Sequence, residues 1–169
     1  VAEPGGLVVE IDPATVCGSD LHAWKGELSL PIDPPLILGH EMTGRILEIG
    51  DDAHLDSVGQ PLSVGDRIVW AHLPCGHCHE CTVEREPVLC ARRYIAYLTD
   101  CQVAPHFTGS FAELGVVRAG AGRVRVPDSV KSSWASAGSC ALRTVIHALD
   151  LAGKIDRDDT VLVQGAGPL

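Results

Sequence analysis

Cysteines carry most of the chemical information in this 169-residue chain. Cys75, Cys78 and Cys81 recur at every third position, and Cys90 follows. Thiolates this close in a non-helical stretch can converge on one tetrahedral Zn²⁺. Gly76 gives the backbone freedom to turn between the first pair. Four thiolates leave the metal no open position, so such a site would stabilise a loop and do no chemistry. The plain alternative is a set of free thiols. His77 and His79 lie in the same stretch and could ligate, but with four thiolates at hand they read more simply as solvated surface groups. Cys101 stands apart and reads as a small buried side chain.

A second set of reactive side chains is dispersed. Cys17-Gly18-Ser19-Asp20-Leu21-His22 is one concentration, Gly39-His40-Glu41 another, and Cys140 lies far along the chain. Each alone is unremarkable, since a single Cys on a helix is usually core and a single His is usually a satisfied polar group. Together Cys17, His40 and Cys140 would make a Cys₂His set. That set leaves zinc one open position, the requirement for a catalytic metal. Spacing alone does not bring the three together.

The elements that must position these groups read as strands first and a helix later. Leu7 to Ile11 is an apolar strand, and Pro31, Pro34 and Pro35 force an extended passage into Leu36-Ile37-Leu38. Thr43 to Ile49, Arg67 to Ala71, Phe111 to Val117 and Val124 to Val126 read as further strands, bounded by Gly50-Asp51, Gly65-Asp66 and Pro127-Asp128. Cys75 to Cys90 has no apolar period and reads as an irregular lobe held by something other than a hydrophobic core. From about Ser133, Trp134, Cys140, Ala141, Val145, Ala148 and Leu149 recur at helical spacing, which predicts a helix of about four turns. Gly153 fits its C-cap. Val161-Leu162-Val163 reads as a buried strand of the parallel kind, followed by the glycine turn Gly165-Ala166-Gly167-Pro168-Leu169.

Composition narrows the class. Apolar residues make up 46% and charged residues 21%, which argues against disorder. Eighteen glycines and eleven prolines favour turns and short strands over a helical bundle. No apolar run reaches the roughly 18 residues of a membrane-spanning helix. A net charge of −9, with 13 basic against 22 acidic residues, argues against nucleic acid as the main partner. Seven cysteines and no signal-peptide pattern point to a reducing, cytoplasmic compartment, where thiols serve as metal ligands. The opening residue, Val1, predicts that the chain begins inside a longer protein.

These motifs resemble the medium-chain, zinc-dependent alcohol dehydrogenase superfamily. Gly39, His40, Glu41, Gly44, Gly50 and Ala53 meet every fixed position of that family's zinc signature. The Cys-Gly-Ser-Asp opening, the cysteine lobe, Gly109-Ser110-Phe111-Ala112-Glu113 and the Cys140-Ala141-x-x-Thr144 segment follow in the family's order. The similarity covers nearly the whole chain. The step from Cys81 to Cys90 is one residue longer than the family's usual spacing. The family's second half is absent, because the chain stops as the dinucleotide fingerprint begins.

The resemblance implies a mainly β fold with some α: a partly open, chaperonin-10-like β-barrel catalytic domain over residues 1–140, with the structural lobe at 75–90. Residues 141–169 would be the first helix and strand of a Rossmann α/β domain. It implies two Zn²⁺ per chain: a catalytic one on Cys17, His40 and Cys140, labile in so short a chain, and a structural one on Cys75, Cys78, Cys81 and Cys90. Ser19 and His22 would relay the hydroxyl proton, and Asp20 would orient the ligand imidazole. Glu41 would tune or transiently bind the zinc, or be a buried carboxylate paired elsewhere. Thr144 would lie near the nicotinamide, or simply bond to its own helix backbone. Gly165 and Gly167 would form the turn at the cofactor pyrophosphate. Trp24 and Trp134 read as core packing.

The function so implied is hydride transfer between a primary or secondary alcohol and NAD or NADP. The intact protein would be a dimer or tetramer acting on a small-molecule alcohol or carbonyl, with no membrane or nucleic-acid partner. This chain alone would be inactive. One alternative is a zinc-stabilised binding module without catalysis, which leaves Cys17, His40 and Cys140 unexplained. Another is a reductase relative without catalytic zinc, and such relatives typically lack these ligands.

Overall fold

The computed structural model describes every residue except Pro31, Asp33, His72, Leu73, Ala166, Pro168 and Leu169. Five strands form one sheet: β1 (Leu7–Thr15), β2 (Glu41–Ile49), β3 (Arg67–Trp70), β4 (Leu114–Val117) and β5 (Arg123–Arg125). The order is β4-β1-β2-β3-β5, and every pairing is antiparallel. β4 and β5 are the two edges, so the sheet is open and the fold is mainly β, as expected. Alternate residues of the strands face one way, as the two-residue pleat requires. Leu7 and Val9, Met42 and Ile46, Ile68 and Trp70, and Val117 thereby meet in one core with Ala53, Leu62 and Ala121.

Glu41 to Gly44 of β2 are buried on both faces. The second cover is the stretch that follows the last strand: helix α3 (Ser132–Ala135) and a 3₁₀ turn at Ser136–Ser139. The Thr43 hydroxyl donates to the Asp12 carbonyl, and Ser132 Oγ donates to Asp12 Oδ2 at 2.8 Å. Ser139 Oγ accepts the Met42 N–H at 3.1 Å. The start of β2 is thus clamped just where His40 and Glu41 enter it.

Several elements differ from their sequence reading. The first strand runs on to Thr15. The Phe111–Val117 strand starts only at Leu114, because the Ser110 and Phe111 amides donate to the Gly39 and Leu38 carbonyls instead, at 3.0 and 2.9 Å. The single late helix is two helices, α3 and α4 (Ala141–Ala152), separated by the 3₁₀ turn and by Cys140 at φ −131° and ψ −71°. Gly153 does end α4, at φ +80°. A helix unread in the sequence, α1 (Gly18–Trp24), follows Cys17.

Val161-Leu162-Val163 is not a buried strand. These residues are exposed and unpaired, since a parallel strand needs neighbours and no strand among the described residues lies beside them. Of the glycine turn, Ala166, Pro168 and Leu169 lie outside the described residues, as does Pro31; Gly165 has φ +99°. Trp24 and Trp134 are exposed rather than core, and Lys131 Nζ lies 5.4 Å from the Trp134 ring centre. Cys101 is half-buried rather than buried. No helix among the described residues is long and apolar enough to cross a membrane.

Candidate active site

Cys17, His40, Glu41 and Cys140 each place one ligand-type atom within 4.8 Å of the others. They arrive from three separate stretches. Cys17 is the N-cap of α1, His40 immediately precedes β2 and Glu41 opens it. Cys140 is carried in by the break between the 3₁₀ turn and α4. Ser139 Oγ lies 3.3 Å from the His40 carbonyl, so that break is fixed directly to the residue it must meet.

Asp20 ties the other segments together. Its Oδ2 accepts the Cys17 N–H at 2.9 Å, which caps α1 at its third residue. Its Oδ1 accepts the Gly39 N–H at 3.1 Å and lies 3.1 Å from His40 Nδ1. The carboxylate is almost fully buried, so each bond replaces water it has lost. Gly39 sits at φ +93°, and a side chain there would run into Ser110 Oγ and the Phe111 ring. That explains the glycine before the histidine.

With Nδ1 on Asp20, the His40 Nε2 faces the cysteines and Ser19. Ser19 Oγ lies 3.4 Å from Cys17 Sγ and 3.4 Å from His40 Nε2. Burial lowers the His40 pKa, but Asp20 and then the two cysteines outweigh it and push the imidazole up to about 10. Burial raises the Cys17 thiol, yet the Ser19 hydroxyl, with further help from the Ser19 amide and His40, holds it below its ordinary value. Burial likewise raises Asp20, and His40 with the Cys17 and Gly39 amides brings it below the usual carboxylate range.

The other expected residues are placed less centrally. Glu41 is buried and its Oε2 accepts the Thr15 hydroxyl at 2.8 Å. It therefore both joins the ligand group and is paired elsewhere. His22 is exposed on α1 with Nδ1 2.9 Å from Glu27 Oε2, and no described hydrogen bond joins it to Ser19. Thr144 donates to the Cys140 carbonyl at 2.9 Å, the local helix bond, while lining the cleft described next.

His40, Ser19 and Cys140 open into a cleft of about 570 Å³, walled by Tyr97, Arg143 and Thr144 among others. Tyr97 was not singled out from the sequence. It is buried, and its ring stacks on the His40 imidazole at 4.4 Å. Only an aromatic type in a short run, Tyr94-Ile95-Ala96-Tyr97, hinted at it.

The lobe forms a second group. Cys75, Cys78, Cys81 and Cys90 hold their sulfurs within 4.8 Å of one another, with Cys78 Sγ 3.4 Å from Cys81 Sγ and 3.8 Å from Cys90 Sγ. A tetrahedron of zinc–sulfur bonds has edges of about 3.8 Å, so the four fit the ion. Helix α2 (His79–Thr82), capped by Cys78, puts Cys78 and Cys81 on one face, and Gly76 turns at φ +76°. Cys90 joins the others despite its longer step. The His77 amide, above all, lowers Cys75 to about 6, while Glu80 pushes Cys78 up. The neighbours of Cys75 and Cys78 thus push the two thiols in opposite directions. His77 and His79 are exposed and outside the group, paired with the Cys75 carbonyl and Glu84.

The molecule thus combines an antiparallel open sheet, a Cys-His-Cys cluster beside a cleft and a separate four-cysteine lobe. Residues 3–128 match the family described as alcohol dehydrogenase GroES-like domain. The chain belongs to that family, within the medium-chain alcohol dehydrogenases its motifs resemble. It is similar to 5-exo-hydroxycamphor dehydrogenase of Pseudomonas putida, 38% identical over 98% of this chain and 45% of the relative. The crystal structure of an alcohol dehydrogenase from Thermotoga maritima superposes with a TM-score of 0.92 at 34% identity, over 99% of this chain and 46% of that one. A candidate zinc-binding dehydrogenase from Sinorhizobium meliloti, solved with NADP bound, gives 0.72 at 26% identity, over 90% and 40%. The chain spans less than half the length of each.

Proposed function

We propose that this chain is the catalytic-domain portion of a zinc-dependent alcohol or polyol dehydrogenase. In the intact protein it would exchange hydride between an alcohol and NAD or NADP. The observation that carries the reading is the convergence of Cys17, His40 and Cys140 beside a cleft that His40 and Cys140 line, with Asp20 behind the imidazole. Two thiolates and an imidazole suit zinc and leave one position for substrate. Zn²⁺ held there would supply Lewis-acid chemistry to an alcohol or carbonyl oxygen. Cys75, Cys78, Cys81 and Cys90 would hold a second, structural ion. We assign residues 1–140 to the catalytic domain and residues 141–169 to the start of a nucleotide-binding domain.

The chain's own groups have separable tasks. Asp20 fixes the His40 tautomer with the proton on Nδ1, so that Nε2 is the ligating nitrogen. Ser19 Oγ, beside Cys17 and His40, would relay the substrate hydroxyl proton, accepting it while passing its own proton on towards solvent, and would run the same exchange backwards in the reverse direction. His22 has only its place on the same helix in favour of a role as the outlet to solvent. Glu41, held by Thr15, stays near enough to exchange with a ligand. Thr144, Gly165 and Gly167 are assigned to the cofactor side by their family positions alone.

The test is zinc per chain, measured on protein purified without chelator, for the unmodified chain, Cys17→Ala and Cys78→Ala. Two zincs, falling by one in each variant, are expected. A single zinc lost only with Cys78→Ala would leave a zinc-stabilised domain with no metal in the cleft.

A further inference from the structure

We propose that Tyr97 is a positioning residue whose ring sets the plane of the His40 imidazole in the cleft site; this rests on that site being a metal site. The terminal torsion of a histidine is broad and not fixed by rotamer preference. Asp20 holds His40 at one atom, Nδ1. In-plane contacts at Nδ1 and, through Ser19 Oγ at 3.4 Å, at Nε2 place the edges of the ring but leave it able to roll about the line joining them, turning the Nε2 lone pair away from the point where Cys17 and Cys140 converge. A contact on the face of the ring blocks that roll. Tyr97 supplies it, with centroids 4.4 Å apart and planes 27° from parallel.

Tyr97 is itself held. It is buried in the last residues before Thr99, where the Leu98 and Thr99 amides close a 3₁₀ turn on Ile95 and Ala96. It lines the same cleft as Ser19, which stands between Cys17 and His40. Asp20 and Tyr97 thus constrain the imidazole along two independent directions, one in its plane and one across it. Sites held to within a fraction of an ångström need such packing as well as hydrogen bonds.

Cobalt(II) uptake tests this without turnover. The visible d–d absorption that disappears in Cys17→Ala belongs to the cleft site, and the remainder reports the lobe. Competition with a chelator then gives the cleft affinity for Tyr97→Phe, Tyr97→Leu and Tyr97→Met. Tyr97→Phe keeps the ring and should bind close to the unmodified chain. Leu and Met lack a planar face and should weaken cobalt binding about 10–100-fold, the usual effect of losing a group that orients a ligand. The lobe signal should not change. If Leu disturbs the lobe signal, Met decides, because its unbranched side chain adapts to the space the ring leaves. Met binding as tightly as the unmodified chain, or Phe as weakly as Met, would overturn the proposal. An unmodified chain with no Cys17-dependent signal would overturn the metal site itself, before any Tyr97 variant is compared.

Discussion

Asp20 answers three donors with one carboxylate: the Cys17 amide, the Gly39 amide and His40 Nδ1. Asn has the same shape but only one acceptor oxygen, so Asp20→Asn turns an NH₂ group towards a buried N–H. Denaturant unfolding should register a loss of about 2–3 kcal/mol, and cleft metal should be held about 10–100-fold less tightly. The pH dependence follows from His40, raised from 6.5 to about 10 without metal. A raised pKa means that His40⁺ stabilises the metal-free fold fully below about pH 6.5, and that this contribution fades as the pH climbs towards 10. A metal ligating through Nε2 must displace the proton there. Cleft metal should therefore bind more weakly at pH 6 than at pH 8, with proton release on binding. Calorimetry in buffers of different ionisation enthalpy measures that release, to which the two thiols also contribute; the same proton count in His40→Gln would mean that His40 does not ligate.

At the scale of elements, the lobe and the sheet are held by different forces. Val83, Val88 and Leu89 of the lobe are exposed, and Cys90 is its one deeply buried apolar side chain. A strong chelator at neutral pH should therefore release the amides of residues 75–90 to fast hydrogen exchange and leave those of β1 and β2 protected. Uniform loss of protection would show that the lobe is coupled to the core. A second prediction concerns the turn between β2 and β3. Buried Asp56 accepts the Val58 and Gln60 amides on Oδ1 and the Arg125 amide on Oδ2. Asp56→Ala should cost about 2–3 kcal/mol in a denaturant titration; a change within about 0.5 kcal/mol would place those amides in water. The lobe was legible in the sequence because its four cysteines are local and three of them are evenly spaced. Cys17, His40 and Cys140 were joined there by their chemistry as a Cys₂His set and by family resemblance, since nothing in their separation encodes a meeting point. Helix α1 escaped because seven residues are too few to show a helical period, although Asp20 three places after Cys17 has capping-box spacing. Tyr97 escaped because its role is a contact made across the fold.

At the scale of the whole molecule, the apolar residues divide into two populations. Leu7, Val9, Ile46, Ile68 and Val117 are fully enclosed by the sheet, whereas Leu142, Ile146, Leu149 and Leu151 of α4 stand exposed. Helical periodicity read from sequence cannot separate these cases, because the same pattern serves a helix whether or not anything covers it. The energies should differ sharply. Ile46→Ala opens a cavity at the centre of β2, under both neighbouring strands, and should lower stability by about 2–5 kcal/mol. Leu149→Gln changes a half-exposed side chain to one of similar helix propensity and should stay within about 0.5 kcal/mol. Both are read from the same urea titration of this 169-residue chain. If Leu149→Gln costs as much as Ile46→Ala, α4 is packed against something in solution, and the stability of the chain is not confined to its sheet. If the two separate as expected, the sheet alone sustains the fold. α4 then contributes chiefly by continuing the backbone that carries Cys140 to His40.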